Sequence, residues 1–161
     1  MLFRSVSVHA RRDEYRSLAA ARHVVSWFNT GRTLRPNPAI DDGEAHRVLL
    51  RLERFARRDR DTRAGLYHFI ELDRSGGALG GDFDYTRLLA DVRSVLRLSP
   101  ASTLALRGVV GSTTTGTLPR QKRFAIGGVD GLRAHEPGRV SGGQVALAQA
   151  EWTFGLWALR S

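Results

Sequence analysis

The feature that most constrains this chain is a strict alternation of apolar and charged residues, clearest in residues 85–98. From position 88 onward the even positions are apolar apart from Ser94, namely Leu88, Ala90, Val92, Leu96 and Leu98. Several odd positions are charged, namely Arg87, Asp91, Arg93 and Arg97. Because successive side chains of a strand point to opposite faces, this period of two predicts a strand with one apolar and one salt-rich face. A tilted strand of this length spans a bilayer, but a soluble sheet shows the same alternation.

The same alternation predicts strands at residues 66–73, 103–111 and 145–157. Two earlier stretches fit more than one structure. Residues 10–28 suit either an amphipathic helix or two strands meeting near residues 19–21, and we favour the two strands. Residues 44–57 suit a strand and a helix equally well. About seven strands are predicted in total.

The predicted strands are joined by connections of very different length. A tight turn at residues 99–102 contrasts with a glycine-rich segment at 111–143 that holds eight glycines. One apolar group in that segment, around Phe124 and Ile126, is expected to be buried. Short turns at one end of a sheet and long loops at the other are typical of outer-membrane barrels.

Composition excludes several kinds of site. Cysteine is absent, so thiolate metal sites and disulfides are excluded, and the five histidines lack metal-binding spacing. No nucleophile or phosphate-binding motif is present, so an enzyme is not predicted. We expect no cofactor, no metal and no catalytic residues.

The charge balance leaves a second function class open. The chain has 25 Lys+Arg against 16 Asp+Glu, and Lys122 is its single lysine. A net charge of +9 is compatible with a soluble, arginine-rich nucleic-acid-binding β protein. That alternative predicts aromatic residues interleaved with arginines on one face. Here the arginines oppose aliphatic residues instead, so no nucleic acid is expected as a partner.

Three stretches in a fixed order resemble the barrel of the bacterial surface antigen superfamily: GDFDYTRLLADVR, LPRQKRFAIGGVDGLRAHE and GGQVALAQAEWTF. The earlier RPNPAIDDG is similar to a segment of the same barrels. The superfamily includes the BamA/TamA assembly proteins, the two-partner secretion transporters and the organellar import barrels. The resemblance is strongest over residues 80–154. It implies an antiparallel, 16-stranded transmembrane β-barrel, of which this chain would hold about seven strands, roughly the sixth to the twelfth.

The resemblance also implies a role for the segment at 111–143. In the superfamily the longest loop folds into the barrel lumen with a Val/Leu-Arg-Gly-Phe/Tyr tetrad at its tip. The matching residues follow Gly127 and Gly128, and they are Leu132, Arg133, Ala134 and His135. Ala134 replaces the usual glycine, and His135 replaces the usual aromatic residue. Since an arginine inside a barrel cannot lose its charge, it needs acidic partners, and the candidates near it in sequence are Asp130 and Glu151.

These resemblances imply a function without covalent chemistry. The expected role is insertion of outer-membrane proteins or translocation of proteins across the bacterial outer membrane. The expected partners are outer-membrane lipids, unfolded outer-membrane or secreted proteins, and accessory assembly lipoproteins. The first residues lack the features of a signal peptide. We therefore expect the chain to be a partial barrel that does not insert stably by itself.

Overall fold

In the computed structural model, residues 5–17, 39–57, 65–127 and 140–155 are described. They form an all-β structure in which no α-helix is found. The strands are β1 (Ser5–Tyr15), β2 (Gly43–Arg57), β3 (Gly65–Ser75), β4 (Tyr85–Ser99), β5 (Ser102–Gly116), β6 (Phe124–Ile126), β7 (Val140–Gly142) and β8 (Gln144–Phe154). Six of them form one antiparallel sheet in the order β1-β2-β3-β4-β5-β8, and β6 pairs with β7 in a second, two-stranded sheet. The larger sheet is open within the described residues, with β1 and β8 at its edges.

The predicted antiparallel β structure is confirmed, and the stretch at 44–57 is a strand. β2 pairs along its length with β1 on one side and β3 on the other. This pairing satisfies the hydrogen bonds of the β2 backbone and decides in favour of the strand over the helix. The N-terminal stretch is a single strand up to Tyr15, and the second strand predicted near residues 19–21 lies outside the described residues.

The boundaries of the long segment differ from those predicted. β5 does not end at Gly111 but continues to Gly116, because its threonine-rich end pairs with the start of β4. The connection to β8 also contains β6, β7 and a short 3-10 turn at Arg120–Lys122. Eight strands are therefore described where about seven were expected.

One face of the six-stranded sheet is apolar and exposed, and we call it the apolar face. The cross-strand register aligns apolar residues in rows, such as Val8, Leu50, Leu72 and Leu88. Large apolar residues on this face keep between 37% and 66% of their surface exposed, namely Val6, Val8, Leu66, Ile70, Leu72, Leu88, Val92, Leu106, Val110, Trp152 and Phe154. A water-soluble sheet ordinarily buries such residues. Among the described residues, no helix is long and apolar enough to span a membrane.

The opposite face carries the charged residues, and we call it the charged face. Asp73 and Asp91 lie on it and are each only 2% exposed, while Ser75 is fully buried. Residues 118–126, which we call the covering segment, pack over part of this face. Leu118 and Phe124 from this segment form the hydrophobic core with Tyr85 of β4. Many large apolar side chains of the sheet are thus exposed on one face, whereas carboxylates on the other face are buried.

The connections fall into two classes that lie at opposite ends of the sheet. At one end, a turn of Pro100 and Ala101 joins β4 to β5, and residues 58–64 join β2 to β3. At the other end, residues 16–42, 76–84 and 117–143 connect the remaining neighbours. The predicted asymmetry between short and long connections is present.

Gly116 is expected to be irreplaceable at the end of β5. Its φ is +71°, and an added Cβ would overlap the backbone of Asp84. We expect Gly116→Ala to lower the free energy of unfolding by about 1–3 kcal/mol, because a side chain strains both this conformation and the contact. Equilibrium unfolding in denaturant measures this change.

Gly108 of β5 is the matched control, since an added Cβ there meets nothing within 4 Å. Gly108→Ala is expected to leave the unfolding midpoint nearly unchanged. Equal midpoints for the two variants would contradict the prediction.

Candidate functional site

The charged face holds arginines from three strands, and carboxylates from neighbouring strands bind them. Arg47 of β2 is the most enclosed, with a side chain that is 10% exposed. Its Nε lies 2.6 Å from Asp13 Oδ2 on β1, and its Nη1 lies 3.0 Å from Asp73 Oδ2 on β3. One guanidinium thus links three adjacent strands. Pairing of this kind is required because an unpaired buried charge is costly.

Glu71 of β3 links two further arginines. Its Oε2 accepts a hydrogen bond from Arg51 Nη1 at 3.4 Å, and its Oε1 accepts one from Arg87 Nη1 at 3.1 Å. The Arg51 guanidinium also lies 3.9 Å above the centre of the Phe69 ring. A guanidinium on an aromatic face is stabilised by the ring quadrupole. Arg51 also donates to Glu53 Oε2 at 3.0 Å and to the Tyr67 hydroxyl at 2.9 Å, so these four partners together fix its orientation.

Asp91 of β4 forms the third charged group. Arg93 donates to its two carboxylate oxygens at 3.0 Å each. Arg107 of β5 donates to Oδ2 through Nη2 at 2.9 Å and Nε at 3.2 Å. One nearly buried carboxylate thus binds two guanidiniums, leaving the group with a net positive charge.

The covering segment is held by aromatic and apolar contacts. Phe124 occupies the space left by Gly111, where an added Cβ would overlap its ring. The guanidinium of Arg87 lies 4.4 Å from the centre of the same ring. Leu118 is 4% exposed and belongs to the core around Tyr85. A small residue on one side and a cation on the other therefore position Phe124.

Lys122, also in the covering segment, lies among several charges. Its Nζ is 5.9 Å from the centre of the Tyr15 ring. Burial lowers the pKa of Lys122 below its usual value, and Arg47 and Arg87 lower it further, while Asp73 and Asp13 oppose the shift. The single lysine of the chain thus adds positive charge where two arginines already lie nearby.

A small patch beneath the covering segment retains free hydrogen-bonding capacity. Asp73 Oδ1, Tyr85 Oη and Arg87 Nε are buried and have no hydrogen-bond partner. Asp73 and Arg87 are directly opposite each other in the register of β3 and β4. Buried polar atoms are normally satisfied by ordered water or another polar group. The patch offers both an acceptor and donors to such a group.

Most residues of the predicted lumenal motif cannot be placed. Only Gly127 is described, directly after β6 and with φ +139°. The other motif residues and one candidate partner lie outside the described residues, namely Gly128, Asp130, Leu132, Arg133, Ala134 and His135. Glu151 is on β8, opposite Ala105, and its side chain is exposed. Pairing of Arg133 with Asp130 or Glu151 stays a prediction.

The sequence did not reveal the carboxylates that organise the charged face. Asp13, Glu71 and Asp73 were not identified as partners of arginines. The sequence signal for these ion pairs is the period of two, which puts the acidic residues of one strand on the same face as the arginines of the next. This signal identifies the partners only when the register between the strands is known. The described residues contain no group of three or more potential metal ligands.

Asp91→Asn is expected to destabilise the protein by about 2–4 kcal/mol, because two guanidiniums would lose their shared charge partner. This loss is smaller than the largest values known for breaking a buried ion pair, because Arg93 is 46% exposed and solvent screens its charge. Equilibrium unfolding measures the loss.

Glu14→Gln is the matched control, since its partner Arg16 is 79% exposed and such surface pairs contribute about 0–1 kcal/mol. A loss for Asp91→Asn no larger than that for Glu14→Gln would refute the proposed importance of Asp91.

The lowered pKa of Lys122 predicts a pH dependence of stability. With a folded pKa below the usual value of 10.5, the unfolded state binds more protons between the two pKa values. Stability therefore rises as pH increases through the folded pKa towards 10.5. Lys122→Gln should reduce this rise. Unfolding titrations across that range test it, and identical pH profiles for wild type and variant would contradict it.

Comparison with known proteins gave no match. No family model, no curated protein and no solved structure matches this chain.

Proposed function

We propose that this chain forms part of an outer-membrane β-barrel that inserts proteins into the bacterial outer membrane or translocates them across it. The observation that carries the proposal is the exposed apolar face of the sheet. A contiguous apolar face this wide is unfavourable when it is exposed to water, whereas in a membrane it can contact the lipid hydrocarbon directly. The charged face then borders the barrel lumen.

The dimensions of the strands support a membrane location. The six strands of the sheet have 11 or 15 residues, and about 9–11 residues suffice for a tilted crossing. Trp152 and Phe154 lie near the short-turn end with ring centres 5.5 Å apart. Trp152 Nε1 donates to Ser102 Oγ at 2.7 Å. An amphipathic indole in this position suits a membrane interface.

The pairing of the arginines disfavours the nucleic-acid alternative. Arg47, Arg87 and Arg107 are at most 20% exposed and already bind carboxylates. Phosphates would have to displace those carboxylates to bind. Phe69 and Phe124, which lie against Arg51 and Arg87, are only 8% and 5% exposed. The exposed Trp152 and Phe154 lie on the opposite face, so none of these four rings offers bases a stacking surface beside the cations.

Protein assembly or translocation follows from the sequence resemblance and from the open edges. β1 and β8 each have an edge without a partner among the described residues. In hydrocarbon such an edge must be paired, because each unsatisfied backbone group costs several kcal/mol. Further strands, with Arg133 and its loop inside the lumen, would complete the barrel.

Fractionation of cells expressing the native locus tests the proposal. We expect the protein in the outer-membrane fraction, with faster migration in an unboiled gel than after boiling. Recovery in the soluble fraction at low salt with nucleic acid attached would overturn it.

Arginine substitutions on the apolar face test the lipid contact directly, because their cost depends on depth in the membrane. Val110 lies in the middle of β5 and is 63% exposed. Val110→Arg is expected to cost about 2–4 kcal/mol in a bilayer, since arginine is unfavourable at the membrane midplane. Unfolding, in lipid vesicles, of the protein purified from cells that express it from the native locus measures this cost.

Leu98, which is 58% exposed beside the short turn, is the control position. Leu98→Arg is expected to cost only about 0–1 kcal/mol at the membrane interface. A negligible cost at both positions would indicate that the face contacts water.

A further inference from the structure

The covering segment is fixed at a second point, in the 3-10 turn just before Phe124. Residues 39–42, just before β2, lie against the 3-10 turn Arg120–Lys122. The contacting residues are about 80 positions apart in sequence, and neither stretch belongs to the six-stranded sheet. Contacts here therefore tie two long connections directly to each other.

The side chain of Gln121 provides the first half of this contact. Its Oε1 accepts a hydrogen bond from the backbone N–H of Asp41, and its Nε2 donates to the backbone carbonyl of Asp41, both at 3.0 Å. The amide side chain thus pairs with residue 41 as a neighbouring strand would. A carboxamide carries the donor and the acceptor on two neighbouring atoms, as this pairing requires.

The side chain of Asp41 provides the second half. Its Oδ2 accepts from the backbone N–H of Arg120 at 2.8 Å, and its Oδ1 lies 3.5 Å from Arg120 Nε. Each segment therefore places one side chain on the backbone of the other. This reciprocity makes displacement of one segment break all of these contacts together.

The adjacent Asp42 is engaged elsewhere. Its carboxylate accepts hydrogen bonds from the backbone N–H and the hydroxyl of Ser17, the latter at 2.9 Å. Two neighbouring aspartates thus have separate partners. Asp41 contacts the covering segment, whereas Asp42 contacts Ser17, just after the end of β1.

We propose that the Asp41–Gln121 contact retains the covering segment on the charged face, and that its loss releases the segment. The core contacts of Leu118 and Phe124 hold the two ends of the segment, and the Asp41–Gln121 contact holds the 3-10 turn between them. Breaking it uncovers Tyr85 and the unpaired polar atoms of Asp73 and Arg87. That this release opens a passage for a polypeptide rests on the proposed function.

Trypsin digestion reports whether the covering segment is packed on the sheet or released, because the segment contains the cleavage sites Arg120, Lys122 and Arg123. The protein is digested in envelopes from cells that express it from the native locus, and the cleaved bonds are identified by mass spectrometry. We expect Gln121→Ala to accelerate cleavage at these bonds about tenfold, the factor appropriate for two lost hydrogen bonds.

Gln121→Glu is a second variant of nearly unchanged size. It keeps an acceptor for the Asp41 N–H but loses the donor to the Asp41 carbonyl, so faster cleavage is again expected. Asp42→Ala is the matched control and should leave cleavage of the segment unchanged. Unchanged cleavage in both Gln121 variants, or an equal increase in Asp42→Ala, would overturn the proposed contact.

Conductance of the protein purified from those native-locus envelopes, measured in planar bilayers, distinguishes the two proposals. A larger open fraction for Gln121→Ala than for wild type supports release of the segment within a channel. Faster cleavage without conductance in either protein supports the role of the contact and overturns the proposed channel.

Discussion

Charge that is shielded from water has to be paired, and this requirement governs the whole sheet. Arg47, Glu71 and Asp91 each bind partners on neighbouring strands, so every pair of strands from β1 to β5 is linked by at least one such group. A slip of one residue between strands would turn these charges to the apolar face. The ion pairs therefore contribute more to register than to net stability, because desolvation offsets much of their attraction.

The end of the sheet with long connections is tied together by contacts of a different kind. Gln121 binds the backbone of Asp41, while Asp82 accepts from the Glu44 N–H at 2.7 Å and donates its own N–H to the Glu44 carbonyl at 2.7 Å. Both contacts converge on the start of β2. In the described parts of these connections, polar contacts tie the segments to the start of β2, and apolar packing includes the core beneath the covering segment and the contact of Phe83 with Tyr15.

Local pattern and long-range pairing contributed differently to what could be predicted. The alternation in residues 85–98 was sufficient for β4, because one period fits it and the other does not. Residues 44–57 satisfied both periods, and only pairing with two neighbours decided between them. The burial of Phe124 followed from its isolation in a polar segment, but its position against Gly111 depends on how the chain folds back. The Asp13–Arg47–Asp73 group required the register of three strands, which no single stretch contains.

The unequal connections also affect how easily each strand pair can form. The two-residue turn between β4 and β5 closes almost no loop, whereas the pairing of β1 with β2 must first bring together the ends of residues 16–42. Loop-closure entropy rises by roughly 0.6 kcal/mol for each doubling of length, so the β1–β2 pair starts at a disadvantage of about 2 kcal/mol. The β4–β5 hairpin is accordingly the natural nucleus of the sheet, and the strands at its edges join at greater entropic cost.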